Sequence, residues 1–361
     1  MANPFVDLSG VETGKYDNPY DALIEVSHND PAQIQSRYSM HRSTRNAQQR
    51  EKLLDPGFAG VSLDPILQKL IDPTIEPGFI DPRHCLVFWA RPTQAVRKLI
   101  SDIQNELLNV VPNLWIMPQD CLHMTALEIT HSRTAEEIEA LIEVMKPHIR
   151  EIVDYTYNNR PRLIKPMIGY DAAAIALSFV PAAGEALTGY WDTEDDLYTY
   201  HHLRKDLFDL CKSKGVTVDS RYVVPSAHLT IGRFVDAEDT SKDGISDPSK
   251  MHSLVKKIEE INHWLEDEYW PKTDTTEIKI GGQWIVGNER GLTCRKGTLW
   301  YGGGGETIQQ GTGFWDEAAF AEDSKGMRVE IQKAIEIDHS PSAVVPGSTR
   351  SGNMKRILVN D

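Results

Sequence analysis

Between residues 83 and 301 short apolar runs alternate with longer stretches whose apolar residues recur every three or four positions. That alternation of periods admits only a mixed fold of strands and helices. Residues 83–90 (RHCLVFWA) form an apolar run ended by Arg91-Pro92, and residues 93–110 place Val96, Leu99, Ile100, Ile103 and Leu107 at helical spacing. Residues 122–130 read as a second strand. Thr134, followed by Glu136 and Glu137, marks a helix N-terminus, because a Thr oxygen caps exposed N–H groups and acidic residues complement the helix dipole; this helix is predicted to run to about residue 149. Further strands are expected at 163–169, 173–180 and 227–235. Helices are expected at 196–214, stopped by Gly215, and at 249–265. Residues 277–286 and 291–301 read as two strands joined through Gly287-Asn288-Glu289-Arg290.

Outside this region the pattern weakens. Residues 1–45 are rich in Asn, Asp, Pro and Ser and read as an extended arm; a short helix is predicted near 64–71, closed by Asp72-Pro73 and by Glu76-Pro77-Gly78. Compact structure is expected to begin after that turn. Residues 303–361 are rich in Gly, Ser and charge, with one helical possibility at 324–337. The expected division is an N-terminal extension (1–80), an α+β domain (81–302) and a C-terminal extension (303–361).

With 38 Lys+Arg against 53 Asp+Glu, the chain carries a formal charge of −15, which argues against a protein that neutralises the many phosphates of long nucleic acid. A small nucleotide or short oligonucleotide needs only a few local cations and stays open as a partner. Cys85, Cys121, Cys211 and Cys294 are widely spaced without a CxxC pair, so a zinc knuckle or redox motif is not expected. No stretch approaches the roughly 18 apolar residues of a membrane helix, and the first residues lack the apolar run of a signal peptide. The expectation is a protein of the cytoplasm or nucleus that does not bind membranes.

Two triplets stand out: His123-Met124-Thr125 and His228-Leu229-Thr230. Alternate residues of a strand face one side, so each His points with its Thr. One HxT is about what chance supplies in a chain with 12 His, but here two copies sit in strand-like settings, 105 residues apart (123 to 228), each shortly after a proline, Pro118 or Pro225. Two imidazoles facing one phosphate can act as base and acid, since imidazole titrates near neutrality, and two Thr hydroxyls can donate to the non-bridging oxygens where charge develops.

Over residues 80–302 these motifs, with Leu127 and Ile129 after the first and Ile231, Arg233 and Phe234 after the second, resemble those of the 2H phosphoesterases. The resemblance implies a bilobal α+β fold: two pseudo-symmetric lobes of antiparallel sheet with flanking helices and a central cleft. It implies hydrolysis of a small cyclic or terminal phosphodiester, such as a 2′,3′-cyclic nucleotide, by His123, Thr125, His228 and Thr230, without a metal or other cofactor. His228 as base and His123 as acid is the assignment carried forward, although either ring fits either role. Arg233 is a candidate phosphate ligand; strict alternation places it opposite His228, where a structural salt bridge is the competing role. Trp300 and Tyr301 are candidates for base stacking or phosphate contact, with core packing as the alternative. Two other readings compete: a non-catalytic nucleotide- or RNA-binding module of the same fold, and a metal-dependent hydrolase with both His as ligands, against which stands the absence of HxH or HExxH spacing.

Other groupings read as structural. His201-His202 point about 100° apart on a helix and suggest a surface patch, and the run Gly302–Gly305 lacks a phosphate-loop pattern and reads as a flexible strand exit. The acidic run 192–196 precedes a helix and suits its N-terminal charge. Cys121 shares the His123 face and is expected to be a structural thiol, and His131 is expected past the strand end without a catalytic role.

Overall fold

The computed structural model describes residues 6–186, 194–220, 222–272 and 278–314. Eight α-helices and eleven strands are assigned among them. The helices are α1 (Asp21–Val26), α2 (Pro31–Leu54), α3 (Pro65–Ile71), α4 (Gln94–Leu108), α5 (Ala135–Met145), α6 (Ile149–Val153), α7 (Tyr200–Ser213) and α8 (Pro248–Tyr269). The strands are β1 (His84–Ala90), β2 (Trp115–Ile116), β3 (Met124–Arg133), β4 (Arg162–Tyr170), β5 (Ala174–Pro181), β6 (Ala227–Arg233), β7 (Ser241–Lys242), β8 (Ile245–Ser246), β9 (Gln283–Ile285), β10 (Thr293–Gly297) and β11 (Gly305–Gln310).

All strand pairs are antiparallel. The first sheet has the order β11-β10-β1-β3 and the second β2-β6-β5-β4-β9, with β7-β8 a separate hairpin. Helices α5, α6 and α7 pack on the first sheet, and α2, α4 and α8 on the second; β3 and β6 bring the two sheets together. One large apolar core runs through both sheets, and a small second cluster of Cys85, Val87, Trp89 and Leu299 lies on the other face of β1. Strand β1 is therefore buried on both faces, as its unbroken apolar run requires. The fold is mixed α+β with antiparallel sheets, as expected. Among the described residues no helix is long and apolar enough to cross a membrane.

Several boundaries follow local chemistry. Thr134 and Glu137 form a reciprocal capping box at the start of α5, Thr93 caps α4, and Gly215 adopts φ +81° after α7. The helix expected to reach 149 stops at Met145 and resumes as α6, with Pro147 between them. Helix α7 begins at Tyr200 rather than 196, because Thr199 takes the cap.

Two differences are larger. Within the segment 1–45 expected as an extended arm, residues 21–26 are helical and a second helix runs from 31 on to 54, and Tyr20, Leu23, Ile34, Tyr38 and Leu53 join the main core. Helix α2 docks through the apolar side chains of Ile34, Tyr38 and Leu53 and also through polar groups. Strand β4 is irregular between Ile164 and Met167, where Lys165 has φ +56° and Pro166 has no N–H to donate. Arg42 donates to Lys165 O (2.7 Å), Asn46 to Ile168 O (2.8 Å) and Trp270 to Pro166 O (2.8 Å), satisfying carbonyls that the ladder leaves over. The expected hairpin around Gly287–Arg290 is also absent: β9 pairs with β4 in the second sheet and β10 with β1 in the first, so the chain crosses between sheets there. Residues 305–310, expected in the C-terminal extension, form β11, whereas the helix expected at 324–337 lies outside the described residues.

Candidate active site

Both HxT motifs are followed by a strand irregularity, and this shapes the site. Along β1 and β3, Trp89 opposes Thr125, Phe88 opposes Leu127 and Val87 opposes Glu128, so Ala126 is an extra residue. Along β5 and β6, Ala176 opposes Thr230, Ile175 opposes Gly232 and Ala174 opposes Arg233, leaving Ile231 extra. An inserted residue reverses the alternation beyond it, so Glu128 shares the face of Thr125 and Arg233 the face of Thr230. Arg233 is thus not opposite His228, which corrects the expectation from strict alternation. Next to the extra residue, Gly232 leaves room for Leu114: a Cβ there would lie 2.9 Å from Leu114 Cδ2.

The faces meet in one open cleft, lined by His123, Thr125 and Glu128 from the first sheet and by His228, Thr230 and Arg233 from the second. Cys85, Val87 and Trp89, alternate residues of β1, form its apolar side, and Met117, Tyr222, Leu299 and Trp300 complete it. The four HxT side chains, Arg233 and Trp300 therefore come together. Tyr301 sits at the rim.

His123 lies just ahead of β3, its ring stacked on Trp89 (centroids 3.8 Å apart, planes 17° apart). Its Nδ1 lies 2.7 Å from Cys121 O. A carbonyl only accepts, so Nδ1 carries the proton and Nε2 is the reactive nitrogen. Burial first, then the charges of Arg91, His228 and Arg295, push His123 down to about 3, against the opposing effect of the Cys121 carbonyl. His228 Nδ1 lies 2.9 Å from Ser226 Oγ, and its ring is tilted against Tyr222 at 6.1 Å. Burial first, then cations including Arg45, Arg204 and Arg233, push His228 down to about 4. Both rings are neutral at pH 7 in the unliganded protein.

The rim is built from charged pairs on aromatic faces. Tyr301 Oη donates to Asp64 Oδ1 (2.7 Å) and accepts from Arg83 (3.3 Å), while Arg233 Nη1 lies 3.6 Å from Asp64 Oδ2 and its Cζ 5.6 Å from the Tyr301 ring centre. Arg83 is held by Asp81 and lies 4.5 Å from the Trp300 ring centre. Asp64 comes from the cap of α3, so residues before 80 help build the rim. Arg233 pairs with Asp64 and also lines the cleft. The turn after β10 is tight rather than a loose exit: Gly302 has φ +79°, and a Cβ there would lie 2.5 Å from Cys121 Cβ.

Sequence patterns missed Glu128, Tyr222, Trp89 and Met117. Only Gly232, an isolated glycine in a strand, signalled the bulge that brings position 233 inward, and Glu128 had no such signal. The His201-His202 patch is not a surface feature. His201 is 1% exposed, its Nε2–H donating to Tyr20 O (2.9 Å) and its Nδ1 accepting from Tyr38 Oη (3.0 Å). His202 caps α7 with Thr199 and reaches Asn29. In the acidic run, Asp192 and Thr193 lie outside the described residues, and Asp196 forms a buried pair with Arg162 rather than serving a helix end. Cys121 contributes its carbonyl to His123 but does not line the cleft. Among the described residues no group of three or more His, Cys, Asp and Glu side chains converges to hold a metal ion.

No protein-family model matches the chain, and no curated protein matches it significantly.

Proposed function

We propose that this chain is a phosphodiesterase of the two-histidine type, hydrolysing a small cyclic or terminal phosphodiester such as a nucleoside 2′,3′-cyclic phosphate, with its two sheets acting as the two lobes of a 2H phosphoesterase-like fold. The observation that carries the proposal is that two His–Thr pairs, one from each sheet, line the same cleft.

The chemistry follows from the two rings. Neutral His228 takes a proton from water as the water oxygen attacks phosphorus. Protonated His123 gives its Nε2 proton to the departing ester oxygen, leaving a monoester and a free hydroxyl. Solvent then exchanges one proton at each ring. Thr125 and Thr230 donate to the non-bridging oxygens, and Arg233 adds a fixed charge on the same side. The carbonyl of Cys121 holds His123 in the orientation that points Nε2 at the cleft. Burial is the first cause of the depressed His123 and cations add to it; a bound phosphate anion offsets the cations and so favours the protonated ring.

The test is turnover of a panel of 2′,3′-cyclic nucleotides and 2′-5′ dinucleotides in EDTA by the wild type, His123→Ala and His228→Ala. Turnover by the wild type that is lost in both variants supports the proposal. An inert wild type, or activity retained in both variants, removes it for these substrates.

A further inference from the structure

The cleft face of the first sheet continues past the histidines into a cationic surface. Cys85, Val87 and Trp89 line the cleft, and the same alternation carries Arg91 onto that face. On the neighbouring strand, Arg295 opposes Val87 in the β1–β10 ladder, and directly opposed residues share a face. The two guanidiniums meet on one indole: Arg91 Cζ lies 4.8 Å and Arg295 Cζ 5.1 Å from the centre of the Trp89 ring, the ring on which His123 stacks.

Neither arginine forms an ion pair with a carboxylate among the described residues. Arg91 Nη1 donates to the carbonyls of Asp120 (3.2 Å) and Leu122 (3.0 Å), and Arg295 Nη1 to Thr307 Oγ1 (2.9 Å), while Arg295 Nε is buried without a partner. Glu289, next in sequence to Arg290, is engaged by Gln94 N (2.6 Å) and Arg97 (4.0 Å). Exposed Arg290 adds a third cation close enough to act on Arg91. Asp120 acts on Arg91 only from beyond ion-pair distance, so in a chain with 53 acidic residues and 38 basic ones these two adjacent half-buried arginines, neither paired with a carboxylate, are an arrangement that an anion completes.

We propose that Arg91 and Arg295 form a second anion subsite beside His123, which receives a further phosphate of the substrate, so that the ligand is a phosphodiester carrying a second phosphate group rather than a bare cyclic nucleoside phosphate. This inference rests on the phosphodiesterase reading for its substrate class, but the subsite itself stands on the arginine geometry. The phosphate bound there undergoes no chemistry. It adds binding energy and fixes which side of the diester faces His123.

Two measurements separate the two claims. The first compares kcat/KM for a nucleoside 2′,3′-cyclic phosphate with and without a 5′-phosphate, in the wild type, Arg295→Ala, Arg295→Lys and Arg290→Ala. The expected result is a preference of about tenfold or more for the 5′-phosphorylated substrate in the wild type, falling below about threefold in Arg295→Ala and partly retained in Arg295→Lys. No preference in the wild type, or an equal preference in Arg295→Ala, overturns the subsite. The second is calorimetric titration with inorganic pyrophosphate, which needs no turnover. Binding weakened about fivefold or more by Arg295→Ala, and by less in surface-exposed Arg290→Ala, supports the subsite even if the protein hydrolyses none of the diesters, in which case only the phosphodiesterase reading fails. No binding by the wild type, or equal binding by all variants, overturns the subsite whatever the outcome for hydrolysis.

Discussion

His201 offers a pH dependence of stability whose sign and size follow from its surroundings. It is 1% exposed; Nε2–H is committed to Tyr20 O, and Nδ1 must stay unprotonated to accept from Tyr38 Oη. Burial first, then the Arg204 guanidinium, push its pKa down to about 3. In the unfolded chain a histidine titrates near 6.5 and is about 97% protonated at pH 5 but about a quarter protonated at pH 7. The unfolded state therefore binds more protons than the folded one across this range, and stability rises with pH. The stabilisation is fully present above about 6.5 and is lost as pH falls toward the folded value. Between pH 7 and pH 5 the loss from this one group is about 2 kcal/mol. The assay is denaturant unfolding of the wild type and His201→Gln at both pH values. Gln cannot titrate, so the variant, less stable at pH 7, loses about 2 kcal/mol less than the wild type on acidification. Equal losses in the two proteins would refute the assignment of a neutral, buried His201.

Other consequences concern the fold and the cleft. Asp196→Asn leaves Arg162, whose side chain is 2% exposed, without the carboxylate that meets its Nε at 3.0 Å and its Nη2 at 2.5 Å; a loss of about 3–5 kcal/mol is expected in denaturant unfolding. Gly302→Ala places a Cβ 2.7 Å from Cys121 O, the carbonyl that orients His123, at a positive φ; steady-state kinetics and unfolding should show lost turnover together with a destabilisation of about 2–5 kcal/mol. Thr230→Ala should lower kcat by about 100- to 1000-fold while leaving the melting temperature nearly unchanged. Since the acid must be protonated and its pKa is depressed in the free protein, kcat/KM should fall as pH rises from 5 to 8, and kcat, measured with the phosphate bound, should fall less steeply.

Local chemistry was legible in the sequence, and long-range compensation was not. The apolar run of β1, the Thr134–Glu137 box and the glycine after α7 act within a few residues, and each is found where its pattern predicts. The two HxT motifs were legible for the same reason, since period 2 within each strand places His with Thr. The bulges at Ala126 and Ile231 break that period, so alternation misplaced Arg233 and hid Glu128. Helix α2 was hidden because its apolar stripe is thin and part of its attachment is polar: Arg42 and Asn46 serve carbonyls of β4 more than 120 residues away. The burial of His201 depends on Tyr20 and Tyr38, 181 and 163 residues distant, so nothing next to it in the chain announced it. The crossing of β9 and β10 into different sheets was concealed by a Gly-Asn segment with the composition of a hairpin turn.

In the proposed mechanism His123 and His228, from different sheets, face one phosphate. The most direct measurement is the 15N spectrum of the two imidazoles at pH 7 during titration with a nucleoside 2′- or 3′-monophosphate, with assignments from the alanine variants. Both rings should shift together along one saturation curve, and at least one neutral ring should become protonated as the anion binds. Shifts confined to one histidine, or two rings that remain neutral at saturation, would contradict the mechanism.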